Sequence, residues 1–521
     1  MCKLYHKGLS RILLLLLALC LALSSLSACR RPVDDTPAPE QQAAAPTTTV
    51  TPAPEVTPAP APTPVPEPPY KGDGSKYTYI MADERDRQWE EDIVFFANAF
   101  LDFLHGHPKL SGRSVVTYER NYSSGRLLIQ NSSEYTSFYD EALRNTFLEE
   151  VNLLILSIPT RSDKEIIISL QKIAALLHDA HTVVDTSTDS FLGIFAGPLH
   201  TQTGMVYGIL MARKEYESLL MSRLDGINGV PIEEIMERLR PLGSYDCEIH
   251  YQDRACSYSY LSDPDVLRYI GVMGPEDMAV LSLTGLDGKA YEYTVRASST
   301  KTWDWNDYVE YVSGTGNDSS DMGIYTCGAS NFIIYGTEKY WYETLADGKA
   351  VYIRLNSCPS DENTISFFEE AFSSVDLAEL EKVIIDFRFN SGGDASLGGG
   401  FGKLLTLIKA TDADVYVLIN GTSMSAGTAI PALLKRYAPK VTLVGAPSGQ
   451  GVRCFSYMSL NNSDALPNSG LLIYCSQMYS DSWPGYDEPT LMPDVEIEQT
   501  FEDYQNGIDS VLKYVLGQTE P

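Results

Sequence analysis

The chain has 521 residues, 44% of them hydrophobic, and a formal net charge of −30. That length suits several domains and supplies enough apolar material for large cores. So acidic a surface argues against nucleic acid and anionic lipid as partners, since both would repel it.

Taken from the start, Lys3, Lys7 and Arg11 precede an unbroken apolar run from Ile12 to Leu23. The run falls short of the ~20 apolar residues that a mature spanning helix needs. A basic start before a short apolar stretch reads as a secretory signal over residues 1–28. Leu26-Ser27-Ala28-Cys29 then resembles the lipobox of bacterial lipoproteins. That likeness implies cleavage before Cys29, its acylation, and a lipid anchor on the extracytoplasmic face of the bacterial cell membrane. Residues 29–76 read as a Pro/Ala/Thr-rich stalk, with 13 of the 29 prolines in 32–69 and no Lys or Arg there. Such a segment favours extended polyproline conformations, and at ~3.1 Å per residue it reaches at most roughly 120 Å.

Folded structure is expected from about Tyr77 onward. Residues 88–106, 136–156 and 164–178 space their apolar side chains as amphipathic helices do, so 77–195 reads as a helical region. Over 196–330 the pattern changes to short apolar runs, Met205–Met211 and Met278–Leu283, around one helix at Pro231–Leu239. Pro231 suits a first helical position, and the mix is PDZ-like and β-rich. Over 331–521 strands and helices alternate: Ala350–Leu355, then helical Thr364–Leu380, Val383–Phe387, Val415–Ile419, helical Ala426–Tyr437 and Val441–Val444. Strand, helix, strand at this spacing means crossover units, and the fold class is α/β. Beyond Cys29 stand Cys247, Cys256, Cys327, Cys358, Cys454 and Cys475. Cys247 and Cys256 could staple a local loop or stay free, and no Cys/His spacing matches a zinc site.

Three segments carry candidate chemistry. Ile384-Ile385-Asp386-Phe387-Arg388-Phe389-Asn390-Ser391-Gly392-Gly393-Asp394 is a buried strand ending in a polar turn. Its paired glycines would let backbone N–H groups approach a ligand. Asn420-Gly421-Thr422-Ser423-Met424-Ser425-Ala426-Gly427-Thr428 again follows a strand and opens a helix. A Ser there exposes its hydroxyl beside the free donors of a helix N-terminus, which suits an acyl-transfer nucleophile as well as a simple N-cap. Leu176-Leu177-His178-Asp179-Ala180-His181-Thr182 places two of the seven histidines beside an Asp. His is the usual general base near neutral pH.

Together these segments resemble the tail-specific, C-terminal-processing serine peptidases. IIDFRFNSGGD is similar to their Asp-x-Arg-x-Asn-x-Gly-Gly element, TSMSAGT to their nucleophile segment, and LLHDAHT to the Asp-x-His-Thr segment of the tricorn-like branch. DFLHGHPKL, VGAPSGQG and MPDVEIE add matches in the same order along the chain, over about residues 88–515. The resemblance implies a crotonase/ClpP-like core, a polypeptide substrate, and neither metal nor organic cofactor. It implies Ser425 as nucleophile, His181 as base, and an oxyanion hole from Ala426 with Gly392 or Gly393. The acid that orients the base would be Asp487 or Glu488. Two departures stand out. The Ser-Lys branch has a Gly-Lys-Gly turn where this chain has Gly449-Gln450-Gly451, which favours the His branch, and Thr428 stands where many members have Glu. The alternative reading is a catalytically silent relative that binds peptides or small apolar ligands in the same cleft.

Overall fold

Apolar runs in the last third of the chain build a six-stranded sheet in the computed structural model. Its strands are Tyr340–Leu345 (β1), Ala350–Leu355 (β2), Lys382–Asp386 (β3), Asp414–Ile419 (β4), Val441–Gly445 (β5) and Val495–Glu496 (β6), adjacent in that order. β1 runs antiparallel to β2, and every other neighbouring pair is parallel. Parallel neighbours need crossovers. Here they are the helices Asn363–Ser373 (α1), Gly400–Ala410 (α2) and Ala426–Tyr437 (α3).

Successive strand residues point to opposite faces. Val383, Ile385, Val415, Val417 and Ile419 therefore pack with Phe368, Phe401, Leu404 and Leu433 on one side of the sheet. On the other side Tyr352, Ile384, Leu418 and Val444 meet Val511, Leu512 and Val515 of a last helix, Ser510–Val515 (α4). Cover on both faces explains why these strands read as continuous apolar runs. The helix expected to reach Leu380 ends at Ser373. Ser374 turns its hydroxyl back to the Ala371 carbonyl, and Asp376 accepts the Ala378 N–H, so the chain leaves the helix in a turn.

The structure describes residues 83–105, 115–120, 127–132, 141–185, 189–201, 204–255, 259–299, 308–310, 339–438, 440–456, 463–476, 478–497, 500, 503 and 508–517. The signal, Cys29, the stalk, Cys256, Cys327 and the boundaries at 76/77 and 330/331 lie outside them.

The middle of the chain gives a second sheet with the path Ala290–Arg296, Met278–Thr284, Arg223–Ile227, Gly204–Arg213, Tyr308–Glu310; Ile194–Thr201 also pairs with Gly204–Arg213. The helix Ile232–Leu239 packs Ile235 and Leu239 into its core, and Pro231 is the N-cap, one position earlier than expected. The boundary expected at 195/196 falls inside the strand Ile194–Thr201, so it does not divide two units.

Helices Glu84–His105, Glu141–Ser157 and Asp163–Ala175 form the expected N-terminal region around Phe96, Phe100 and Phe147. The third opens with a capping box between Ser162 and Glu165. Two strands there were not expected. Val115–Arg120 and Leu127–Ser132 join Arg453–Ser456 and Met478–Asp481 in one sheet. A second link pairs Val183–Val184 with Leu472–Tyr474. The C-terminal part thus reaches back twice to hold the N-terminal region, and the second link holds the segment that carries His181.

Candidate active site

β3 and β4 are parallel neighbours, so the turns after their carboxyl ends open on the same edge of the sheet. Crevices at that edge are where open α/β sheets place ligands. The two turns are tied together by backbone bonds. Phe387 N–H donates to the Leu418 carbonyl at 2.9 Å, and Met424 N–H to the Asn390 carbonyl at 3.0 Å.

A buried charge network fixes the β3 turn. Arg388 donates to both carboxylate oxygens of Asp386 (Nε at 3.1 and 3.0 Å) and to both of Asp509 (2.9 and 2.8 Å). Arg354 pairs with Asp386 at 2.8 Å, and the Tyr352 hydroxyl donates to it at 2.7 Å. Burial alone would push the Asp386 carboxyl up; the Arg354 and Arg388 guanidinia hold it down at about 2. The Asp-x-Arg element therefore anchors the strand end to the N-cap of α4. Asn390 completes the turn, accepting the Gly392 N–H at 2.8 Å and donating to the Leu355 carbonyl at 2.7 Å.

The β4 turn separates its two serines. Ser423 is fully buried; its hydroxyl donates to the Phe387 carbonyl at 2.9 Å and accepts the Asn420 N–H at 3.0 Å. Ser425 is partly exposed and caps α3 with φ 55° and ψ −123°. A non-glycine residue held there stores about 1–3 kcal/mol of strain, a feature that clusters at functional sites. Gly392 lies against it: a Cβ there would stand 2.6 Å from the Ser425 Cβ, so only glycine fits. Thr428 turns its hydroxyl onto the Ser423 carbonyl at 2.7 Å, which makes its contact structural.

Of the oxyanion donors expected, Gly392 has its N–H engaged by Asn390. The N–H groups of Gly393 and Ala426 have no acceptor among the described residues. Ala426 is the first residue of α3, where the helix dipole adds partial positive charge.

His181 reaches this edge from far away in sequence. It is buried at 6% exposure, while His178 is exposed and sets its ring edge-on to Tyr245. Asp179 shapes the turn, accepting the His181 N–H at 3.0 Å and the Thr182 hydroxyl. Thr182 in turn accepts the Ser476 N–H at 3.1 Å. The link to Ser425 is Gln450. Its Oε1 accepts the Ser425 N–H at 2.7 Å, and its Nε2 lies 3.3 Å from His181 Nδ1 and donates to Asp246. Asp246 also accepts the Ala180 N–H at 3.0 Å.

The structure does not bring Asp487 or Glu488 to His181, and their proposed role is corrected accordingly. Both lie on an exposed turn after Gly485; the Asp487 side chain is 95% exposed, 4.0 Å from Arg453. The carboxylates gathered around His181 are Asp179 and Asp246. Sequence reasoning missed Asp246 because no motif surrounds it, and it took Gln450 only as the lack of a Lys. The Pro-Asp motif is structural, since Asp494 accepts the Leu443 N–H and the Lys435 ammonium at 2.7 and 2.8 Å. Lys403 pairs with Glu369.

Among the described residues Cys247, Cys358, Cys454 and Cys475 form no disulfide with one another. Among the described residues no group of three or more His, Cys, Asp or Glu could hold a metal ion, and no helix is long and apolar enough to cross a membrane.

No protein-family model matches this chain, and no curated protein matches it. Among solved structures, mature CPAF complexed with lactacystin is similar over 83% of this chain and 98% of its own, at 13% identity and a TM-score of 0.48. The photosystem II D1 C-terminal processing protease is similar over 79% of this chain and 93% of its own, at 11% identity and a TM-score of 0.35.

Proposed function

We propose that this chain is a serine peptidase of the tail-specific, tricorn-like type. Its core would be crotonase/ClpP-like and its middle unit PDZ-like, and a lipid on Cys29 would hold it outside the cell membrane. The observation that carries the reading is the placement of Ser425. It sits strained at a strand-to-helix junction, packed against Gly392, next in the chain to the Ala426 N–H and one side chain away from buried His181.

In this reading the Ser425 Oγ attacks the peptide carbonyl carbon while its proton passes to His181. The carbonyl π pair moves onto oxygen, where the N–H groups of Ala426 and Gly393 stabilise it. His181 then gives the proton to the departing amine, and water repeats the sequence on the acyl-enzyme. A fluorophosphonate probe tests it. Ser425→Ala should abolish labelling, His181→Ala should slow it at least ~10³-fold, and Ser423→Ala should keep the adduct on Ser425. An adduct mapped to Ser423 by mass spectrometry would overturn the assignment. The silent-relative reading draws on Thr428, whose hydroxyl is tied to the Ser423 carbonyl; no adduct from folded protein across several probes would favour it.

A further inference from the structure

Gln450 touches three parts of the site at once, and its amide can adopt only one orientation there. Its Oε1 accepts the Ser425 N–H at 2.7 Å, and its Nε2 donates to an Asp246 carboxylate oxygen. Turning the amide over would set NH2 against an N–H and C=O against a carboxylate, so both contacts oppose a flip. The same Nε2 lies 3.3 Å from Nδ1 of His181. With that nitrogen facing a donor, Nδ1 must offer its lone pair, and the ring proton of neutral His181 sits on Nε2.

The geometry points to Gln450, clamped by Asp246, as the positioning residue that fixes the orientation and tautomer of His181 and ties it to the Ser425 backbone. The base is then oriented by an amide backed by a carboxylate, in place of a carboxylate in direct contact. The inference rests on the reading of His181 as the base only for its kinetic consequences; the tautomer does not depend on it.

Its chemistry follows from the donor. An N–H aimed at Nδ1 favours neutral imidazole, because the imidazolium would set two N–H groups against each other. Gln450 thus favours the neutral ring, where a carboxylate partner would favour the imidazolium. Nδ1 carries the only lone pair of the neutral ring, so taking up the Ser425 Oγ proton there requires the Gln450 Nε2–H to let go of Nδ1, while the amide keeps its bond to Asp246. The titratable groups near the ring are His178 and Asp179 on its own turn and Asp246 from the segment before Glu248–Ala255; the Cys454 thiol, on Arg453–Ser456, lies close enough to Asp246 and Asp179 to feel their charge. Burial, then Asp246, Asp179 and Asp481, push that thiol well above its ordinary range, so it stays neutral and does not compete with His181 as a charge.

The test needs no substrate. Full-length protein with 15N-labelled histidine, with His181→Ala as the assignment control, should show His181 as the Nε2–H tautomer at neutral pH. A protonated Nδ1 in the wild type would overturn the proposal by itself. Gln450→Leu should yield a mixture of tautomers, slow fluorophosphonate labelling about 10- to 100-fold, and move the acid limb of its pH profile up by roughly half to one unit. Labelling at the wild-type rate with an unmoved limb would also overturn it. Asp246→Asn, which frees the amide to turn, should disturb the tautomer in the same direction. An Nε2–H tautomer in a protein that reacts with no probe would uphold the positioning role while removing the peptidase reading.

Discussion

Asp386 carries a negative charge in the interior, which a lone buried carboxylate could not sustain. Two guanidinia and a tyrosine hydroxyl surround it, and its pKa falls to about 2. A depressed folded pKa gives stability that is fully present above the unfolded value of about 3.9 and is lost as pH falls through the folded one. From that shift, Asp386 should contribute about 2 kcal/mol at neutral pH that disappears between about pH 4 and pH 2. Asp386→Asn removes the ion pair of Arg354 and one of the two carboxylates paired with Arg388, and should cost about 3–5 kcal/mol at pH 7. Urea unfolding at pH 7, 4 and 2.5 should also show a shallower acid loss in the variant; an unchanged slope would place the acid sensitivity elsewhere. At this scale the sequence was informative where the signal is local. The Ser-Ala-Gly junction set Ser425 apart from Ser423, and the structure places one partly exposed and the other buried. The acid beside His181 was not legible. Asp487 and Glu488 were chosen by their distance from the Pro-Asp motif, but the turn after Gly485 carries them outward.

Between elements, the strands and helices of the core were legible because both faces of the sheet are covered and crossover helices separate the strands. Val115–Arg120 and Leu127–Ser132 were not: they pair with each other, but the sheet they join is reached only through Val115–Arg120 on Met478–Asp481, hundreds of residues away. The same long-range logic positions His181. Asp92, buried at 1% exposure on the helix Glu84–His105, accepts the N–H groups of Asn468 and Ser469, each at 2.8 Å. Those residues form the turn between Ser463–Ala465 and Leu472–Tyr474, and the latter strand pairs with Val183–Val184, two residues beyond His181. Asp92→Ala should therefore cost about 1–3 kcal/mol. It should also slow labelling of Ser425, although Asp92 belongs to neither catalytic turn. Hydrogen exchange should rise first in 463–474 and 178–184, with the core sheet unchanged. A variant that lost stability yet labelled at the wild-type rate would show that the hairpin does not hold His181.

At the scale of the whole molecule, charge decides what can hold this chain to a surface. With a net charge of −30 it is repelled by anionic lipid, so electrostatic attraction cannot supply attachment. The proposed anchor is a lipid on Cys29, followed after Arg30 and Arg31 by a Pro-rich segment without Lys or Arg over residues 32–69. A stalk reaching up to roughly 120 Å at ~3.1 Å per residue would carry the acidic body well beyond a Debye length of about 8 Å, where repulsion by the membrane is screened. Attachment should accordingly resist salt. High-salt washing should leave the wild type in the membrane fraction, whereas an electrostatically bound protein would be released. Cys29→Ser should instead shift the chain to the soluble fraction or block its processing, with the folded part and its probe labelling intact. Cys29→Ser that remains membrane-bound after correct processing would sink the lipid anchor, and release of the wild type by salt alone would replace it with a charge-based contact.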